Sequence, residues 1–289
     1  MDGTLVMGVL NASADSFSDD GHHGDLDARV ALAAGLVADG ADIIDVGGQS
    51  AITGVAETDA AAEAELVVPL IRAIHATWPD VPISVDTYKP LVAERAVDAG
   101  AALVNDVSGL LYPEVARLCA DRGVALVIMH TRSRPKVRLA DPTFYVDVVA
   151  DVVGFLREKV EAALALGVPE ESLVLDPGPD FAKTPAQTIE VLRRLDEVRA
   201  LGRPLLLALS RKDFVGAILH KPPRQRLAGT MAAIAHLTAE PGGIVRVHDV
   251  AATRDVLAVV DVLQGRADVA EDYELPMSLR REPAPSPDT

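Results

Sequence analysis

A single cysteine, Cys119, among 289 residues rules out a disulfide framework and any cysteine-built zinc site. It lies in Glu114-Val-Ala-Arg-Leu-Cys-Ala120, a helical-looking stretch where a thiol serves as a small buried hydrophobe rather than a nucleophile. Aromatic residues are only 3% of the chain, and with Ala, Val and Leu abundant this favours repeated helix–strand packing over an all-β sandwich. Positive charge is scarce: 27 Lys and Arg against 43 Asp and Glu leave a formal charge of −16. Broad contact with nucleic acid or an acidic membrane needs a positive field, so neither is expected, and an anionic substrate needs a local cationic pocket. No apolar run is long enough to span a bilayer, and Met1-Asp-Gly-Thr-Leu5 lacks a basic, apolar leader. A soluble, cytoplasmic protein is the expectation.

Three common motifs are also missing. Asp45-Val-Gly-Gly-Gln-Ser50 is not a G-x-G-x-x-G fingerprint, and there is neither a G-x-x-x-x-G-K-[ST] loop nor an H-E-x-x-H helix. A dinucleotide site, a P-loop and zinc hydrolysis are therefore unsupported. His22 and His23 are adjacent in a Gly/Asp loop, which is not a zinc spacing.

What is present is a recurrent alternation. Short β-branched runs at 5–11, 42–48, 82–86, 103–107, 125–130, 173–176, 204–210 and 244–248 are separated by longer amphipathic stretches rich in Ala, Leu, Glu and Arg. Gly40, Gly100, Gly123 and Gly167 each close such a stretch shortly before the next run, as C-terminal glycines do. Eight strands alternating with helices in one domain over 1–265 predict an α/β fold, a (β/α)8 TIM barrel, with a doubly wound open sheet as the alternative. Beyond Arg266 the pattern gives way to a polar, Pro-rich tail, 266–289, expected to be loosely docked and without a catalytic role.

In a parallel barrel the C-terminal strand ends share one mouth. The polar residues at those ends are Asn11, Asp86, Asn105, His130, Asp176, Lys212, Arg246 and His248. Asp86, Asn105 and Asp176 together offer an alternating donor and acceptor edge to a flat, nitrogen-rich heterocycle. Lys212 suits a ring carbonyl, and Arg246 can stack on a ring while its planar fork binds an anion. With His248 and the Asn11 amide, these make a pyrophosphate corner. Any one aspartate after a strand is more often a helix N-cap than a ligand group, and Asp45 reads as an internal carboxylate paired with another barrel residue. So many ionisable strand ends together are what that bland reading fails to explain.

These segments resemble the dihydropteroate synthase family, folate-pathway barrels that join a pterin to p-aminobenzoate. The resemblance runs through 8–19 (Gly-Val-Leu-Asn-Ala-Ser-Ala-Asp-Ser-Phe-Ser-Asp), 40–48, Ser84-Val-Asp-Thr-Tyr-Lys89, Asn105-Asp-Val-Ser-Gly109, Met129-His130, Asp176-Pro-Gly178, Ser210-Arg-Lys212 and Arg246-Val-His248. It implies that Asp86, Asn105, Asp176 and Lys212 recognise the pterin, with Met129 and Phe181 also in the substrate site. It implies that Asn11, Arg246 and His248 bind pyrophosphate and its Mg²⁺, with Asn11 as the metal ligand, and that Asp86, Lys212, Arg246 and His248 carry catalysis. Two loops containing Asp15 and Phe17, and Ser50 to Gly54, would close over the site, and a homodimer would form through late helices.

The departures from the family pattern fall on the second-substrate side. A Thr-Pro pair is Ser13-Ala14, a phosphate-contacting threonine is Ala51, an arginine is Ile52, a glycine is Asp180, and a serine is Asp213. Asp213 would set a carboxylate where the family receives that of p-aminobenzoate; its structural alternatives are a helix cap or a pair with Arg211. Two readings stay open: a transferase using 6-hydroxymethyl-7,8-dihydropterin pyrophosphate with p-aminobenzoate or another aryl amine, and a pterin-binding paralogue with little synthase activity.

Overall fold

The computed structural model describes residues 3–12, 26–49, 53–54, 56–240 and 242–281. Asp15, Phe17, the Ser13-Ala14 pair, His22, His23, Ser50, Ala51, Ile52 and the final Pro283–Thr289 lie outside the described residues.

Strands β1 (Leu5–Asn11), β2 (Ile43–Gly47), β3 (Ile83–Asp86), β4 (Leu103–Asp106), β5 (Ala125–Met129), β6 (Leu173–Asp176), β7 (Leu206–Leu207) and β8 (Ile244–Val247) pair in parallel in the order β6-β5-β4-β3-β2-β1-β8-β7. The Leu175–Leu205 bridge and the Leu175 N–H bond to the Pro204 carbonyl (2.9 Å) join β6 to β7 and close the ring. The barrel expectation is thus met, and the open sheet is excluded. The expected seventh run at 204–210 is the exception, because only Leu206–Leu207 hold ladder geometry. Past them the chain turns, with Arg211 at φ 61° and the Lys212 N–H directed back at the Leu209 carbonyl.

Around the ring lie α1 (Leu26–Ala38), α2 (Ala60–Thr77), α3 (Pro90–Asp98), α4 (Pro113–Arg122), α5 (Val148–Ala165), α6 (Pro185–Arg193), α7 (Leu195–Arg199), α8 (Asp213–Leu219), α9 (Leu227–Leu237) and α10 (Val250–Leu263). Their starts follow from local chemistry. Asp59 and Asp147 accept backbone N–H bonds at the N-termini of α2 and α5, and Thr184 and Gln187 form a reciprocal capping box on α6. Pro90, Pro113 and Pro185 occupy first helical positions, where no N–H is required. Gly40, Gly100, Gly123 and Gly167 all have positive φ, as their positions suggested.

The two-residue period of the strands sorts side chains into two environments. Outward positions such as Val6, Ile44, Val85, Leu126 and Val245 form one large cluster with the helices. Inward positions Met7, Ile43, Leu103, Val127, Val174, Leu206, Ala208 and Ile244 form a separate cluster filling the barrel's interior. The same inward series, continued toward the C-terminal ends, delivers Asp45, Asp86, Asn105, Met129, Asp176 and Arg246 to the mouth. Beyond α10, Arg266 bonds to Asp261 and to the Thr238 and Ala239 carbonyls, and Ala267 through Arg281 are exposed. Among the described residues, no helix is long and apolar enough to cross a membrane.

Candidate active site

Parallel register aligns the candidate residues in neighbouring rows: Asn11 beside Gly47, Gly47 beside Asp86, Asp86 beside Asn105, and Met129 beside Asp176. Asp86, Asn105, Met129, Asp176, Phe181, Lys212 and Arg246 consequently line one cavity of about 110 Å³ that opens at the mouth. Asn11, His248 and Asp213 are not in its lining. Asn11 stands across Gly47 from Asp86: Asn11 Oδ1 and Asp86 Oδ2 come within 3.9 and 3.8 Å of the point where a β-carbon on Gly47 would stand. His248 keeps part of its surface in solvent, with Nδ1 3.0 Å from Ser210 Oγ, and partial desolvation of the ring together with nearby Arg211 lowers its pKa to about 4.

Arg246 links two inward carboxylates. Its Nε donates to Asp45 Oδ2 (2.6 Å) and its Nη2 to Asp86 Oδ2 (2.8 Å). Asp45, fully buried, also receives the Asn105 amide at 3.4 Å, so it has the internal pairing its sequence position suggested. Burial pushes the Asp86 pKa up to about 7 against the opposing pull of Arg246. Asp176, 2% exposed, is raised to about 6 by burial, and one of its oxygens accepts the Gly178 N–H at 2.7 Å. Asn105 Oδ1 is buried without a hydrogen-bond partner among the described residues. A buried acceptor in that condition costs free energy unless a ligand supplies a donor.

The Lys212 ammonium lies 4.4 Å from the centroid of the Phe181 ring, and burial lowers its pKa. Phe181 is carried by a strained loop after β6. Asp180 and Ala182 both take left-handed φ, 65° and 50°, which costs each on the order of 1 kcal/mol. Asp180 is held there by Thr188 Oγ1 (3.2 Å) and by the backbone N–H of Asp213. The Asp213 carboxylate itself turns outward, 66% exposed, to Arg226 at 3.0 Å. Neither structural alternative for Asp213, a helix cap or a pair with Arg211, is what its side chain forms. Left-handed Arg211 sends its guanidinium to Asp249 (2.9 Å) instead.

Several pocket residues escaped the sequence reading. Gln49, Thr87 and Tyr88 line the cavity, tied together as Gln49 Nε2 donates to Tyr88 Oη (3.2 Å) and Tyr88 Oη to Glu57 (2.8 Å). Beneath them fully buried Glu63 accepts from Thr87 Oγ1 and Lys89 Nζ, both at 2.8 Å, and Gly48 admits it: a β-carbon there would stand 2.6 Å from Glu63 Cγ. Thr131, Ser133, Arg134, Pro135, Lys136 and Val137 also line the cavity. Their signal was available, since Arg132, Arg134, Lys136 and Arg138 alternate within seven residues of a chain carrying −16.

No group of three or more His, Cys, Asp or Glu among the described residues is arranged to hold a metal ion. Asn11 Oδ1 and Asp86 Oδ2, which both face Gly47, are oxygen donors of the kind a hard cation takes.

Residues 7–248 match the family model of pterin binding enzymes. A dihydropteroate synthase of Synechocystis sp. is 41% identical over 262 residues, which cover 90% of each protein. The structure superposes with a TM-score of 0.84 and 39% identity on the Xanthomonas albilineans dihydropteroate synthase with 4-aminobenzoic acid, covering 91% of this chain and 94% of that one. The complex of the same organism's enzyme with 7,8-dihydropteroate gives a TM-score of 0.81 at 38% identity, with the same coverage of both chains.

Proposed function

The chain belongs to the pterin binding enzyme family, as a transferase of the dihydropteroate synthase kind, and on that premise we propose how its residues share the reaction. The reaction joins 6-hydroxymethyl-7,8-dihydropterin pyrophosphate to p-aminobenzoate in folate biosynthesis and releases pyrophosphate. The observation that carries this reading to the residues is a cavity lined by both apolar and polar groups, with an unpartnered Asn105 acceptor and two carboxylates, Asp86 and Asp176.

In this assignment ionised Asp176 accepts the N–H groups of the aminopyrimidine edge, Asn105 Oδ1 accepts a ring N–H, and Lys212 donates to the ring carbonyl. Met129 and Phe181 supply the apolar walls. When the C–O bond to pyrophosphate breaks, positive charge spreads from the methylene into the ring, and the preorganised Asp86 carboxylate stabilises it. The aryl amine nitrogen then attacks the methylene and loses its proton. Arg246 holds Asp86 in place and adds positive charge beside the departing anion, and His248 flanks it from β8. Bound Mg²⁺ would neutralise the leaving pyrophosphate, and Asn11 with Asp86 would hold it. Acceptor discrimination is assigned to Asp180 rather than Asp213, because the Asp180 carboxylate bonds the backbone at the start of α8 and acts on Lys212.

The working form is proposed to be a cytoplasmic homodimer. Exposed Val259, Val262 and Leu263 on α10 and Leu227 on α9 supply apolar surface for the partner. Pyrophosphate release measured with and without p-aminobenzoate tests the function. Acceptor-dependent release supports the transferase, whereas pterin binding without release supports a pterin-binding paralogue.

A further inference from the structure

The loop that follows Asp176 and carries Phe181 into the cavity rests on a buried cation that the cavity does not contain. Lys183, 3% exposed, donates to the Gly178 carbonyl (3.0 Å), the Phe181 carbonyl (3.1 Å) and His130 Nδ1 (2.7 Å). Three acceptors match the three N–H bonds of an ammonium, and a neutral amine would leave one unfilled. Because Lys183 can only donate, His130 Nδ1 accepts and its Nε2–H donates to Asp151 Oδ1 at 2.9 Å. Asp151 is in turn held by Arg132 at 2.8 and 2.9 Å. His130 is fully buried, and burial lowers its pKa to about 4, in keeping with the neutral ring this chain of bonds requires.

The two carbonyls gripped by Lys183 bracket the segment that matters. Gly178 gives its N–H to Asp176, and Phe181 supplies the ring under Lys212. Between and beyond them Asp180 and Ala182 hold left-handed φ, a conformation that persists only when surrounding bonds impose it. Gly178 packs so tightly on the end of β5 that an added β-carbon would stand 2.1 Å from the His130 carbonyl oxygen. Neither Lys183 nor His130 lines the cavity.

We propose that Lys183 is a positioning residue: its ammonium, relayed through His130 to Asp151, fixes the loop after β6 so that Asp176 and Phe181 meet the pterin. This rests on the pterin-transferase reading. Burial lowers the Lys183 pKa to about 7, so the clamp loses its third bond as pH rises through neutrality. The charged groups facing it are Asp176 from β6, Asp151 from α5, Lys212 from the loop before α8, Asp180 from its own loop, and Arg132 behind His130.

Calorimetric titration of 6-hydroxymethyl-7,8-dihydropterin into wild type, Lys183→Met and Asp151→Asn between pH 6 and 9 tests it, with circular dichroism to verify folding. At pH 6.5 Lys183→Met is expected to bind at least about tenfold more weakly. The wild-type-to-variant ratio then falls toward 1 by pH 9, because wild type loses the proton that the variant never had; the ligand's own ionisation cancels in the ratio. Asp151→Asn removes a negative charge that holds this proton, so the alkaline decline moves to lower pH. A folded Lys183→Met that binds within twofold of wild type, or a ratio constant with pH, overturns the proposal. Should that variant not fold, an unshifted decline in Asp151→Asn overturns it. Wild type that takes up no pterin at any pH overturns the functional reading as well, which is a distinguishable result.

Discussion

The floor and the mouth of this barrel are built from the same strands and could hardly differ more. At the floor, Met7, Ile43, Leu103, Val127, Val174, Leu206 and Ile244 meet with no charge among them. At the mouth, two residues further along the same inward series, Asp45, Asp86, Asn105, Asp176 and Arg246 crowd together, and two of the carboxylates are raised to about 7 and about 6 by burial. Burying apolar side chains drives folding, whereas burying carboxylates opposes it. The two ends of each strand therefore serve separate ends, stability below and the proposed recognition above, and substitutions at the two levels should separate accordingly.

The largest effect expected belongs to the floor. Leu206→Ala empties part of a fully buried site and should destabilise by about 2–5 kcal/mol, while pterin affinity of the folded variant stays within twofold. Chemical denaturation with parallel calorimetry measures both, and a joint loss would break the separation. At the mouth the comparison is sharpened by pH. Asp176 has a folded pKa of about 6 against 3.8, so the native state binds more protons than the unfolded chain between those values. Its contribution to stability is thus fully present below about 4 and is lost as pH rises through about 6, where the carboxylate proposed to bind the pterin forms. The melting-temperature difference between Asp176→Asn and wild type should therefore grow in the variant's favour from pH 4 to pH 7, and wild-type pterin affinity should rise over the same range.

A smaller effect is expected at the acceptor side. Asp180→Gly removes a carboxylate that acts on Lys212, and should lower KM for p-aminobenzoate by about three- to tenfold. Asp213→Ser, whose carboxylate faces Arg226, should change it less than about twofold. Steady-state kinetics with both variants would expose the reverse order if Asp213 were the discriminating group. The smallest effect concerns the tail: truncation before Asp272 removes residues exposed as far as Arg281, and should lower the melting temperature by less than about 3 °C. A larger drop would show that the tail is docked.

Much of this was legible in the sequence because strands of period two convert apolar runs directly into positions. The eight runs and their polar ends found Asp86, Asn105, Asp176, Lys212 and Arg246, all of which line the cavity. What stayed hidden depends on the backbone's path after a strand. Nothing local shows that Arg211 takes a left-handed turn toward Asp249, leaving Asp213 to Arg226. Lys183 reads as an ordinary lysine before a helix cap, and only folding brings it to His130, 53 residues earlier. Long-range pairing of that kind has no sequence period to betray it.

The claim that the mouth is a pterin site read by Asp176 is tested most directly by calorimetry of Asp176→Asn with 6-hydroxymethyl-7,8-dihydropterin at pH 7.5, alongside its melting temperature. Exchanging an acceptor for a donor opposes the aminopyrimidine N–H groups, so affinity should fall at least about tenfold, or about 1.4 kcal/mol, with no loss of stability. A folded variant that binds the pterin as tightly as wild type would contradict the account.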